Sequence, residues 1–204
     1  RWDRRVSARR ATIHPMSDAT PGTATAGSPT TGAAADERPY SPGLEGVIAA
    51  ETALGLVDGA NGRLLYRGYP IGQIVERGSY SAVAELLWTG EWTATARLST
   101  APVPAPVLAA LRALGSAAKP MDALRTAVSV WGATQELAWP PTVEQARALT
   151  RFSPSALAAF ARLRRGLEPV EPDPSLDLVT GFLYQLNGER PDPATGRALD
   201  AYFM

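Results

Sequence analysis

The stretch that decides the fold is GLEGVIAAETALGLVDGANGRLLYRGYPIGQIVERGSYSAVAELLWTGEW, Gly43 to Trp92. Around Asp58-Gly59-Ala60-Asn61-Gly62 two short β-prone runs face each other, and Gly and Asn tolerate the positive φ that such a reversal demands. Leu54 and Leu56 alternate in the first run, Leu64 and Tyr66 in the second, so each strand of the predicted β-hairpin presents one apolar face. A two-stranded ribbon is marginal alone and must pack on something else. That support is helical. Ile71 to Arg77 reads as a short helix ended by Gly78, and Ser81 to Thr89 as a second, with Val83, Leu86 and Leu87 on one side and Gly90 as its stop.

Helical periodicity continues to the C-terminus. Val107 to Leu114 ends at Gly115, and Pro120-Met121-Asp122 opens a helix in which Met121, Leu124, Val128 and Trp131 recur at helical spacing. Thr142 with Gln145 has the capping-box pattern, and Ser153-Pro154 reads as N-cap and first residue of a separate helix running to Arg165, stopped by Gly166. The proline-rich loop EPVEPDPS (168–175) leads to a helix over Leu176–Leu186 with a stop at Gly188. Asp192-Pro193 starts a final helix whose apolar face is Ala198, Leu199, Tyr202 and Phe203. No stop signal follows that face, so the sequence reads as truncated in mid-helix. The fold class is mainly α, multi-helical, with a small N-terminal β-hairpin.

Two segments organise the chain. Residues 1–38 read as a disordered leader, with five arginines before Met16 and then SDATPGTATAGSPTTGAAAD (17–36), which has nothing large and apolar to bury. Met16 reads as the true start. Residues 39–204 form the helical part.

Composition removes many chemistries. Among 204 residues there are 20 basic and 20 acidic side chains, one histidine and no cysteine. Zero net charge argues against a nucleic-acid binder working through broad electrostatics. Without Cys there is no thiolate ligand, disulfide or cysteine nucleophile. His14 sits in the leader and cannot build a multi-histidine metal site or a Ser-His-Asp triad. No apolar run is long enough to span a bilayer, so the expected setting is the cytoplasm, without a membrane partner.

Candidate groups each have a structural alternative. Gly43-Leu44-Glu45-Gly46 lacks the lysine and third glycine of a phosphate-binding loop and reads as a turn. Glu45 with Glu51, or Asp173 with Asp177, could serve as acid and base, but the favoured reading is structural, with Asp173 in a solvated loop and Glu45 capping or pairing with an arginine. Arg67, in YRGY, is placed to reach a neighbouring subunit or a carbonyl. Arg125, on a helix expected to be buried, calls for a partner, and Asp122 one turn earlier supplies it. Trp88, Trp92 and Trp131 read as core anchors.

Taken together, Gly43–Trp92, PMDALRTAVS (Pro120–Ser129) and FLYQLNGERPDPATGRALDAYFM (Phe182–Met204) resemble the citrate synthase family, in the right order and with similar spacing. The similarity runs from about Tyr40 to Met204 and is greatest to the shorter bacterial and archaeal branch, which includes 2-methylcitrate synthases. The resemblance implies the N-terminal portion of a helical homodimeric enzyme that condenses acetyl-CoA with oxaloacetate to citrate and CoA. Acetyl-CoA is a substrate there, and no cofactor or metal is implied. The family's HxxHGxNxS motif, its later histidine, its catalytic Asp and its substrate arginines would all follow Met204. No residue of Arg1–Met204 is therefore assigned a catalytic, substrate-binding or metal role. Lys119 stands where relatives often have His. Two alternatives stay open, a 2-methylcitrate synthase using propionyl-CoA and a non-catalytic helical module for dimerisation or binding. The coding DNA tests this reading: a frame continuing past Met204 into an HGxN-type motif is expected, and a stop codon there contradicts it.

Overall fold

A computed structural model describes residues 51–204, and the leader 1–38 with Met16 and His14, Gly43–Gly46 and Glu45 lie outside the described residues. The reversal forms as expected. Asp58 accepts hydrogen bonds from the Asn61 backbone N–H at 3.2 Å and from its side-chain amide at 2.9 Å, fixing the turn between β1 (Gly55–Asp58) and β2 (Arg63–Tyr66). The register pairs Leu56 with Leu65 and Val57 with Leu64, so the alternating sets in the two strands lie on opposite faces of the ribbon. Tyr66 packs inward, whereas Leu54 and Val57 are exposed.

A third strand, β3 (Tyr69–Pro70), completes an antiparallel sheet of order β1-β2-β3 and was not legible as a strand. Its turn carries positive φ at both Arg67 (49°) and Gly68 (87°). An arginine in this conformation is strained, but its side chain offsets the cost: Nη2 donates to the Leu87 carbonyl at 2.9 Å, in the last turn of α2 (Tyr80–Thr89). Arg67 thus takes the carbonyl option of the two that its position offered.

The hairpin sits on α1 (Ile71–Arg77) and α2, where Ile74, Val83 and Leu86 form a buried cluster flanked by Tyr66, Tyr69, Trp92 and Met204. Ser79 caps α2 by accepting from the Ala82 N–H, and Gly90, at φ 81°, ends it with an N–H to the Leu86 carbonyl.

The main core joins α3 (Ala105–Leu114), α4 (Pro120–Ala133) and α5 (Val143–Leu163). Here the sequence expectation needs two corrections. The buried stripe of α4 is Ala123, Ala127 and Trp131, while Met121 is 67% exposed and Leu124 and Val128 lie at the margin. Alanines at that spacing let α4 lie close against α3 and α5, which larger residues on the same stripe would prevent. Second, Ser153-Pro154 does not begin a helix. Pro154 lies inside α5, which runs unbroken for 21 residues from the Thr142–Gln145 capping box. The missing N–H of Pro154 is tolerated because Phe152, Ala156, Ala159 and Phe160 on both sides are buried in one core. The Ser153 hydroxyl donates back to the Leu149 carbonyl at 2.8 Å, and the Arg151 carbonyl accepts from the Ala101 N–H at 3.0 Å.

After α5, the proline-rich segment is pinned from inside. Buried Ser155 donates to Gln185 Oε1 at 3.0 Å, and Gln185 Nε2 donates to the Val170 carbonyl at 3.1 Å. Then come α6 (Leu178–Asn187), two residues later than the Leu176 start expected, and α7 (Pro193–Phe203), capped by Asp177 and Asp192. Leu176 stays outside because Asp177 accepts from the Thr180 N–H at 2.8 Å and so makes Leu178 the first helical residue.

Two measurements check this packing. Phe152 is 1% exposed and its ring stacks on Trp131 at 5.4 Å, so Phe152→Ala is expected to cost about 3–5 kcal/mol in denaturant unfolding followed by tryptophan fluorescence. Glu85 on α2 is ion-paired with Arg147 on α5 at 2.6 Å, and hydrogen bonding to that guanidinium holds its carboxyl below the ordinary value of 4.5. Its contribution is therefore complete above pH 4.5 and fades as pH falls through the lowered native value. Glu85→Gln should lower Tm by about 2–4 °C at neutral pH, for a pair worth about 1 kcal/mol, and by progressively less in acid.

Candidate functional site

Where α5 passes α6 and α7, an apolar groove of about 460 Å³ opens between Leu149, Pro154, Leu157, Val179, Phe182 and Phe203, with Tyr80 at its edge. Its shape follows from three local decisions. Ser153, Pro154 and Leu157 present the side of α5 away from the main core to the groove. Asp177 caps α6 by accepting from the Thr180 N–H and hydroxyl, both at 2.8 Å, which places Leu178 and Val179 against it. Asp192 caps α7 and so brings Phe203 to the rim, 6.4 Å from the Tyr80 ring centroid in an edge-on arrangement.

Tyr80, which lines the groove, is bound through its backbone to Asp200 of α7. The two Asp200 oxygens accept the Tyr80 backbone N–H at 3.1 and 3.3 Å, tying α7 to the N-terminus of α2. Burial pushes the Asp200 carboxyl above the ordinary aspartate range; the Tyr80 N–H opposes that rise and the Asp177 charge adds to it. Burial likewise raises the Tyr80 phenol. A charged residue inside the apolar run Ala198-Leu199-Asp200-Ala201-Tyr202-Phe203 was the sequence signal for this contact. That run is also less covered than expected, with Ala198 exposed and Tyr202 81% exposed.

The acids and cations singled out by sequence fall into structural roles. Asp173 and Asp177 do not form an acid–base pair: Asp173 accepts from the Ser175 N–H at 2.8 Å and is ion-paired with Arg190, while Asp177 is a helix cap. The Ser175 bonds, with Arg190, hold Asp173 below the usual carboxylate range. Glu51 is exposed, and its suggested partner Glu45 lies outside the described residues. Arg125 pairs with Asp122 as predicted, but on the surface, its side chain 77% exposed, because the buried face of α4 is the alanine stripe. Trp131 is a core anchor. Trp88 is half-buried beneath the Arg147 guanidinium at 5.8 Å, and Trp92 packs beside Tyr69 at 5.8 Å.

Chemically, the groove accepts apolar surface. Its lining carries no charged side chain, and its polar members are Tyr80, Thr150 and Ser153. Among the described residues there is no cluster of His, Cys, Asp or Glu able to hold a metal ion, and none of the helices described is long and apolar enough to cross a membrane.

This architecture is shared with known proteins. Residues 43–204 match the family model described as citrate synthase, C-terminal domain. A citrate synthase of Haloferax volcanii is 38% identical over 177 residues, covering 78% of this chain and 46% of that protein. A 2-methylcitrate synthase of Mycobacterium tuberculosis is 34% identical over 176 residues, covering 81% and 45%. The crystal structure of citrate synthase from Pyrobaculum aerophilum superimposes with a TM-score of 0.70 at 28% identity, over 79% of this chain and 45% of that one. The chain thus spans a little under half the length of the curated relatives it matches. With the family model covering most of its length and the helical fold matching in space, the chain belongs to the citrate synthase family.

Proposed function

We propose that this chain is the helical frame of a citrate-synthase-type acyltransferase, which condenses acetyl-CoA with oxaloacetate to release citrate and CoA, acting in the cytoplasm as a homodimer. The observation that carries the proposal is the match of residues 43–204 to the citrate synthase family model, together with a citrate synthase fold shared over 79% of the chain. The condensation must remove a proton from a weakly acidic methyl group and stabilise the enolate oxygen, so it needs a free base and positioned donors. The acids beside the groove are committed elsewhere: Asp177 caps α6 and Asp200 holds the Tyr80 N–H. Imidazole is absent from the described residues, since His14 is the one histidine of the chain. The proposal therefore gives residues 51–204 the work of building and orienting, and gives the proton transfers to residues outside this chain.

A second acyl donor has support of its own, because 2-methylcitrate synthases stand among the relatives at 34% identity. Propionyl-CoA is the corresponding substrate. The test follows CoA thiol release with oxaloacetate and either thioester. Chain 1–204 alone is expected to give no release above the protein-free rate. A polypeptide extended over the full length of the relatives is expected to turn over, and the ratio of acetyl-CoA to propionyl-CoA rates assigns the donor. Turnover by 1–204 alone would place the catalytic groups within it, and an inactive full-length protein would overturn the condensation itself.

A further inference from the structure

We propose that Asn61 is a site of spontaneous covalent modification, at which the backbone nitrogen of Gly62 closes on the side-chain amide and expels ammonia. The chain has two asparagines, Asn61 and Asn187, and glycine follows both. Glycine has no Cβ to crowd its own nitrogen, so an Asn-Gly step lets that nucleophile approach the amide carbon closely. By sequence the two sites are alike. The fold separates them.

Asn187 is the last residue of α6, and the Gly188 N–H donates to the Tyr184 carbonyl at 2.8 Å. Attack from Gly188 would surrender that bond, and closing the ring would twist Asn187 out of helical dihedrals and unwind the last turn. At the other site the Gly62 N–H reaches the Gly59 carbonyl at 3.4 Å, beyond the ordinary limit of about 3.2 Å. Asn61 also lies between β1 and β2, outside their paired residues, so its backbone twists without breaking the ladder. These contacts all come from residues within three positions of each asparagine.

Water is the co-reactant. Hydroxide takes the Gly62 amide proton, the nitrogen bonds to Cγ of Asn61, and the Cγ–Nδ2 bond breaks with Nδ2 leaving as ammonia. Water then opens the imide at either carbonyl, leaving aspartate or isoaspartate at position 61. The hairpin registers the change. Asn61 Nδ2 donates to both Asp58 oxygens, at 3.1 and 2.9 Å, and these bonds hold the Asp58 carboxyl below the ordinary aspartate range. The product sets a second carboxylate against Asp58, so the side-chain donors that close the β1–β2 turn give way to repulsion. The chemistry needs none of the groups of the condensation reaction.

Peptide mapping by mass spectrometry tests this on the polypeptide extended over the full length of the relatives, incubated in mildly alkaline buffer, folded and in urea. In urea, the peptides carrying Asn61 and Asn187 are expected to convert at similar rates. In the folded protein, conversion at Asn61 is expected to run at least about tenfold ahead of Asn187, where a helix end must first open. Asn61→Gln, whose longer side chain cannot close the same ring, should abolish the mass change in its peptide and leave the Asn187 peptide unaltered. The proposal is overturned if the two sites convert together in the folded protein, if Asn187 leads, or if Asn61 stays an amide there while the denatured chain converts. The same lead of Asn61 in urea, or a mass change that persists in Asn61→Gln, overturns it as well.

Discussion

Everything in this chain is arranged around how closely α4 and α5 approach each other. Small residues set that distance: Ala123 and Ala127 on one helix and Ala156 and Ala159 on the other leave room for the Trp131 and Phe152 rings to stack at 5.4 Å. With this contact made, α3 closes one side through Val107 and Leu111, and α5 has a rigid second side on which α6 can lie. The ribbon, α1 and α2 form a separate buried cluster, and the Arg147–Glu85 pair with the Trp88 ring bridges the two bodies.

Much of this was legible because it is written in local chemistry. Thr142 and Gln145 cap α5, Gly90 and Gly188 end their helices at φ 81° and 88°, and Asp58 with Asn61 closes the hairpin, each from side chains within a few residues. What escaped depends on distant neighbours. Pro154 has every local mark of a helix start, yet residues flanking it are buried in one core and the helix continues through it. The periodicity of α4 fits Met121–Leu124–Val128 as well as Ala123–Ala127, and only the facing helices choose between them. β3 is two residues long and exists because Arg67 can brace its turn on α2.

Of the candidate site, composition carries an expectation alone: one histidine and no cysteine in 204 residues, read beside the family resemblance, predict that no residue of this chain has a catalytic role. The geometry adds what residue types alone cannot supply. It places the groove between α5, α6 and α7, and it turns Asp200 from one more acid into a tie between helices far apart in sequence. That contact is tertiary, so neither spacing nor composition announces it.

The buried Ser155–Gln185 bond has a further consequence for the proline-rich connection between α5 and α6. Surface connections ordinarily vary in length among relatives with little cost. Here Gln185 grips the Val170 carbonyl from within the core, while Arg162 holds the Glu168 carbonyl and Arg97 the Ser175 carbonyl. Adding or deleting a residue between 168 and 175 would slide at least one carbonyl out of its grip. The segment therefore behaves as a ruler: its residue count sets how far α6 begins from the end of α5, and with it the width of the groove.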